Sequence, residues 1–183
     1  MKRIYCSALC LIASFTSFAA ANYQIDLILF TQLQSGDKAH EHSLNSLLLP
    51  ISDNVIHLKS SDSKSTKPYT LLRPAKSSLA DEYYQLNHKR QYRVLGHYSW
   101  IQPAKNQSTI ALPTLNHNGW KVQGTLRVRQ SNYYLFDSDL QLSPPSNPDA
   151  FFTVSQKQRL KPQTVYFLDH PQLGMLVKIH QVS

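Results

Sequence analysis

WKVQGTLRVRQSNYYLFDSDLQL, residues 120–142, consists of two alternating runs interrupted once, and how it folds back decides the architecture. In the first run Trp120, Val122, Gly124, Leu126 and Val128 share one face, while Lys121, Gln123, Thr125, Arg127 and Arg129 occupy the other. A period of two is that of a strand with one face buried. In the second run Tyr134, Phe136, Leu140 and Leu142 turn inward and Asp137 and Asp139 outward. A three-residue turn at Ser131 to Tyr133, with Asn132 suited to positive φ, keeps like faces together. That register sets Arg127 opposite Asp137, so an antiparallel pair with one dry face is expected.

The segments on either side extend this pattern. QYRVLGHYSWIQP (91–103) is rich in aromatic and β-branched residues and stops at Pro103, as a strand does. A loop containing Asn116, His117, Asn118 and Gly119 leads into the hairpin. Further strands are expected over 150–160, 163–168 and 174–182, separated by SPPSNPD (143–149), by a turn near Lys161-Pro162 and by the Asp169-His170-Pro171 stretch. YQIDLILFTQ (23–32) is apolar on both alternating faces around Leu27 to Phe30, which predicts a central strand covered on both sides. SSLADEYYQLNHKR (77–90) predicts a helix: Ser77 or Ser78 caps it, Asp81 and Glu82 suit its first turn, and Leu79, Tyr83 and Leu86 share a face. The fold class is therefore α+β, a mainly antiparallel β-sheet of about six to seven strands with one helix, about 78–89, packed on it.

The chain of 183 residues opens MKRIYCSALCLIASFTSFAAANYQ, with cations at Lys2 and Arg3, an apolar run, then small residues at Ala19 to Ala21. This is the layout of a secretory signal cleaved after Ala21. The apolar run is shorter than the ~20 residues of a membrane-crossing helix, so no span is expected after cleavage. Residues 22–183 then form a single β-rich domain with an irregular segment at 33–78, broken by Gly36, Pro50, Pro68 and Pro74. Within that segment a short helix is expected at 43–49 and a short strand at 55–59. Both cysteines, Cys6 and Cys10, lie in the leader, so the exported body must hold by packing without disulfides.

Loss of Lys2 and Arg3 leaves 17 basic against 11 acidic residues, a net charge of +6 with histidines neutral. Outside a cell such a field draws acidic glycans, wall carboxylates or lipid head groups. No dense basic run marks a nucleic-acid arm, which excludes nucleic acid as the expected partner.

Three constellations resemble reaction chemistry. Asp169-His170 lies between strand-like runs among Pro171 and Gly174, which are turn residues, and reads as a hairpin corner. His40-x-His42 with Asp37 and Glu41 lies in the irregular segment, with no second ligand pair at zinc-like spacing. Asp137-x-Asp139 places two carboxylates on one strand face, but the facing arginines hold both ionised, and a cross-strand ion-pair ladder is expected. No nucleophile elbow, phosphate-cradling glycine loop or cofactor motif occurs, so no catalytic residue, metal ligand or cofactor is assigned. Tyr92, Tyr98, Trp100, Trp120, Tyr133 and Tyr134 cluster along three strands. Trp100 and Trp120 share faces with core residues and read as packing, whereas Tyr133 and Arg129 near the hairpin tip read as exposed.

Three stretches, 71–103, 119–142 and 158–179, resemble the peptidoglycan-binding cell-shape-integrity family of Gram-negative periplasmic proteins. The matching residues are Tyr92, Val94, Leu95, His97, Trp100, Gln102 and Pro103 in the first. They are Gly124-Thr125 and Asp139-Leu140 in the second, and Leu168, Asp169, His170, Pro171 and Gly174 in the third. The opening strand YQIDLILFTQ is similar too, whereas residues 33–68 match nothing in the family pattern. The resemblance implies a non-catalytic periplasmic protein that binds peptidoglycan. It also implies support for a cell-wall synthase through an outer-membrane lipoprotein activator, and so maintenance of cell shape. On that implication Arg127, Arg129 and Tyr133 are the candidate residues for wall glycan or stem-peptide carboxylates. The rival is a periplasmic protein-protein adaptor whose glycan affinity is incidental and charge-driven. An enzyme of wall turnover comes third.

Overall fold

The computed structural model describes residues 22–32, 54–59 and 68–182. The leader, the helix expected at 43–49 and the group of Asp37, His40, Glu41 and His42 lie outside the described residues. In chain order the elements are β1 (Asn22–Gln32), β2 (Ile56–His57), a 3-10 turn (Pro74–Lys76), α1 (Ala80–His88), β3 (Tyr92–Pro103), β4 (Ile110–Ala111) and β5 (Leu115–His117). There follow β6 (Trp120–Gln130), β7 (Tyr134–Ser143), β8 (Phe152–Leu160), β9 (Tyr166–Leu168) and β10 (Gly174–Val182).

These strands form two sheets, which corrects the expectation of one sheet of six to seven. A four-stranded antiparallel sheet has the order β3-β1-β10-β9, and a six-stranded sheet runs β2-β4-β6-β7-β8 with β5 also paired to β6. The reason lies in the apolar patterns. The β6–β7 hairpin has only one dry face and needs a second surface to cover it, while β1 is apolar on both sides. Stacking satisfies both. Tyr23, Ile25, Leu27 and Leu29 of β1 join Met175, Val177 and Ile179 of β10 in one core with Val122, Leu126, Val128, Phe136 and Leu140. The Tyr23 hydroxyl crosses between the sheets to donate to the Val128 carbonyl at 3.1 Å.

On its other side β1 buries Ile28 and Phe30 with Leu79, flanked by Leu86, Tyr92, Val94 and Leu176. This contact docks α1 through Leu79 at its cap and the partly buried Leu86, whereas Tyr83, the third residue of the expected apolar face, is exposed and no residue within α1 is fully buried. Each fully buried aliphatic side chain of this kind contributes about 1.5–3 kcal/mol. The serine cap needs correction, because α1 opens on Leu79 with no side-chain cap bond. Ser78 instead donates its hydroxyl to Asp26, and Ser77 Oγ accepts the Leu79 N–H at 3.2 Å.

The hairpin register agrees with its alternation: Arg127 lies opposite Asp137, and Gln130 opposite Tyr134 closes a three-residue turn. Asn132 is not among the residues with positive φ, so the turn forms differently, with the Ser131 N–H donating to the Tyr133 carbonyl at 2.8 Å. Positive φ falls instead at Asn118 (50°) and Gly119 (82°). Those two residues turn β5 into β6, a hairpin within what the sequence suggests is a loop. At Gly124, φ is 145° and a Cβ would run into the Asp139 carbonyl, which is why the strand carries glycine there.

Candidate functional site

The face of β6, β7 and β8 turned away from the core is a ladder of outward rows. Arg129, Leu135 and Arg159 form one row, and Arg127, Asp137 and Lys157 the next. Thr125, Asp139 and Ser155 form the third. The alternation that buries Leu126, Phe136, Val154 and Leu160 forces the charged residues outward.

All three sequence-predicted residues sit at this end of the sheet, in different circumstances. Arg129 contacts Asp137 diagonally, with a guanidinium nitrogen 2.7 Å from Oδ2. Arg127 is exposed and donates its Nε–H to the Gln107 carbonyl at 2.9 Å. Tyr133, half-buried, lies under the Arg159 guanidinium, whose central carbon is 4.9 Å from the ring centroid. The expected ion-pair ladder is thereby reduced to one diagonal rung, since the residue directly across from Asp137 turns toward a backbone oxygen.

Lys157 and Arg159 were missed by the sequence reasoning. The signal was available: in FTVSQKQRL, Ser155, Lys157 and Arg159 alternate opposite Val154 and Leu160. Only the pairing of β8 with β7 brings them beside the arginines of β6. Toward the far end, Gln123 donates to Gln141 Oε1 at 3.1 Å. The face offers guanidinium and ammonium donors, hydroxyls and amides, an arrangement able to bind anionic and polar groups without apolar burial.

Asp169-His170 is the hairpin corner expected. The His170 carbonyl accepts the Leu173 N–H at 3.2 Å, and its Nδ1 accepts the Gln172 N–H at 3.3 Å. The Asp169 carbonyl accepts from Gln156 at 3.2 Å. Gly174 allows the Phe30 ring to lie against the backbone, where any Cβ would collide with it. Among the described residues no group of three or more His, Cys, Asp or Glu could hold a metal ion.

Sequence reasoning also missed a buried polar cluster around Asp26, which is 0% exposed. Its Oδ1 accepts from Gln24 Nε2 at 2.9 Å and from the Ser99 hydroxyl. Its Oδ2 accepts from the Ser78 hydroxyl at 2.6 Å and the Ser78 N–H at 3.2 Å, and His180 Nδ1 stands 3.7 Å away. Nearby, His97 Nε2 meets Ser77 Oγ at 2.8 Å and its ring stacks on Tyr83. Burial pushes the His97 pKa down from 6.5, opposed by the Asp26 charge. Serine, histidine and aspartate are all present, but the Asp26 oxygens are occupied by Ser78, Ser99 and Gln24, and the hydrogen bond of His97 goes to Ser77. The cluster ties β1 to the start of α1 and to β3. A lone acid in the apolar run YQIDLILF was its signal, because a buried charge must be partnered.

Two stacked sheets, one with a helix-covered face and the other with an open, charged face, present a surface chemically suited to polar and anionic ligands. The family model described as "Peptidoglycan-binding protein, CsiV" matches residues 3–182, and the chain belongs to that family. No curated protein and no solved structure matches the chain. Peptidoglycan is accordingly the ligand class, and the cell envelope the setting. No helix among the described residues is long and apolar enough to cross a membrane.

Proposed function

We propose that this chain is a non-catalytic periplasmic protein, released by cleavage after Ala21, that holds peptidoglycan on the open face of its six-stranded sheet. From there it supports a cell-wall synthase and its outer-membrane lipoprotein activator, and so maintains cell shape. The family match over residues 3–182 carries the ligand class. The presence of Arg127, Arg129, Lys157 and Arg159 in two adjacent rows, with Tyr133 under Arg159 at the hairpin end, supports this face as the place, because wall stem peptides end in carboxylates that guanidinium groups bind well.

Co-sedimentation with isolated sacculi tests it. An Arg127→Glu, Arg129→Glu double variant with an unchanged circular-dichroism spectrum should lose most of its retention. Retention equal to the parent protein removes this face from wall binding. Retention of the parent that disappears at about 0.3 M salt, where exposed charges are screened beyond several ångströms, marks the affinity as incidental and favours the protein-protein adaptor. Release of soluble muropeptides on incubation overturns the non-catalytic assignment.

A further inference from the structure

Asp139 stands apart from the other charges of the open face. It is exposed, it projects between Thr125 and Ser155 of the neighbouring strands, and the described ion pairs are Arg129 with Asp137 and His180 with Asp26. Arg127 and Lys157 lie one row away on either side, on diagonals that long side chains can span. Neither forms an ion pair with Asp139. The reason on one side is visible, since the Gln107 carbonyl holds the Arg127 Nε–H at 2.9 Å. A carboxylate and two cations therefore occupy adjacent rows of one face, with Thr125 and Ser155 on either side of Asp139, and with Asp137, already paired to Arg129, between the two cations.

A ligand with only carboxylates would be repelled by Asp139, and one with only amines by Arg127 and Lys157. The group that suits all three carries an ammonium and a carboxylate on one carbon. In peptidoglycan that group is the free end of a dicarboxylic diamino acid in a stem peptide, and cross-linking acylates its amine. Resting on the reading that this face holds the wall, we propose that Asp139 takes the ammonium and Arg127 with Lys157 the carboxylate of this zwitterionic end. The protein thereby distinguishes uncross-linked from cross-linked stem peptides.

The test is calorimetric titration of the purified protein with three soluble disaccharide-peptide fragments. One carries meso-diaminopimelate with a free amine, one the same residue N-acetylated, and one lysine in its place. The free zwitterion should bind tightest, with N-acetylation and lysine each weakening it roughly fivefold, about the effect of one solvent-exposed ion pair. Asp139→Asn should weaken the free-amine fragment by a similar factor and leave the acetylated one unchanged. Equal affinity for free and acetylated fragments, an Asp139→Asn variant that binds like the parent, or no binding of any fragment overturns the inference. Sacculus retention lost in the arginine double variant would still uphold the wall-binding face in each of those cases. Retention unchanged in that variant removes both.

Discussion

Each sheet has one face turned away from the shared core, and the two faces use the same residue type in opposite ways. On the four-stranded sheet, Asp26 is sealed beneath the start of α1 and four hydrogen bonds from Gln24, Ser78 and Ser99 saturate its oxygens. On the six-stranded sheet, Asp139 is exposed and forms no ion pair among the described residues. A carboxylate whose capacity is filled internally fixes geometry, whereas one left open is available to a solute. The covered face thus uses its carboxylate within the fold, and the open one leaves its carboxylate to solvent.

The largest expected effect tests the covered face. Asp26→Ala leaves the Ser78, Ser99 and Gln24 donors buried without their acceptor and should lower stability by about 3–5 kcal/mol in urea unfolding. A loss below about 1 kcal/mol would erase the contrast between the two faces. His97, in the same region, gives a smaller, pH-dependent effect. Its folded pKa is lowered from 6.5 by burial, so the unfolded chain takes up the proton first and stability falls as pH drops through 6.5 toward the folded value. Thermal midpoints between pH about 7.5 and about 5 should therefore decline less steeply in His97→Gln than in the parent. The smallest effect belongs to the open face. Asp137→Ala breaks an ion pair whose side chains are 36% and 19% exposed, and should cost no more than about 1 kcal/mol. A larger cost would mean that the open face also carries the fold.

Much of this was legible in the sequence wherever the pattern was local. The alternation of residues 120–142 was enough to set Arg127 opposite Asp137, and the two apolar faces of residues 23–32 were enough to make β1 central. The Asp-His-Pro stretch also folds as its turn residues indicated. What escaped depends on pairing across distance. β4 and β5 have two and three residues, too few to show a period, and β2 joins β4 in parallel from more than fifty positions away. The stacking of two sheets follows from which strands share an edge, which alternation does not encode. The Asp26 partners Ser78 and Ser99 lie 52 and 73 residues along the chain. Likewise, Lys157 and Arg159 join the candidate site only through the β7–β8 register.

The central strand has one further consequence. β1 is flanked by β3 and by β10, with Asn22 against Val182 at one end and Phe30 against Gly174 at the other. One flank of the earliest strand is supplied by the last described residues, a pairing of very long sequence separation and correspondingly slow closure. Until those residues arrive, β1 presents a bare hydrogen-bonding edge in an apolar strand, the kind of edge that recruits foreign chains. Loss of the final ten residues would therefore do more than shorten the protein: it would turn a folded body into an aggregation template.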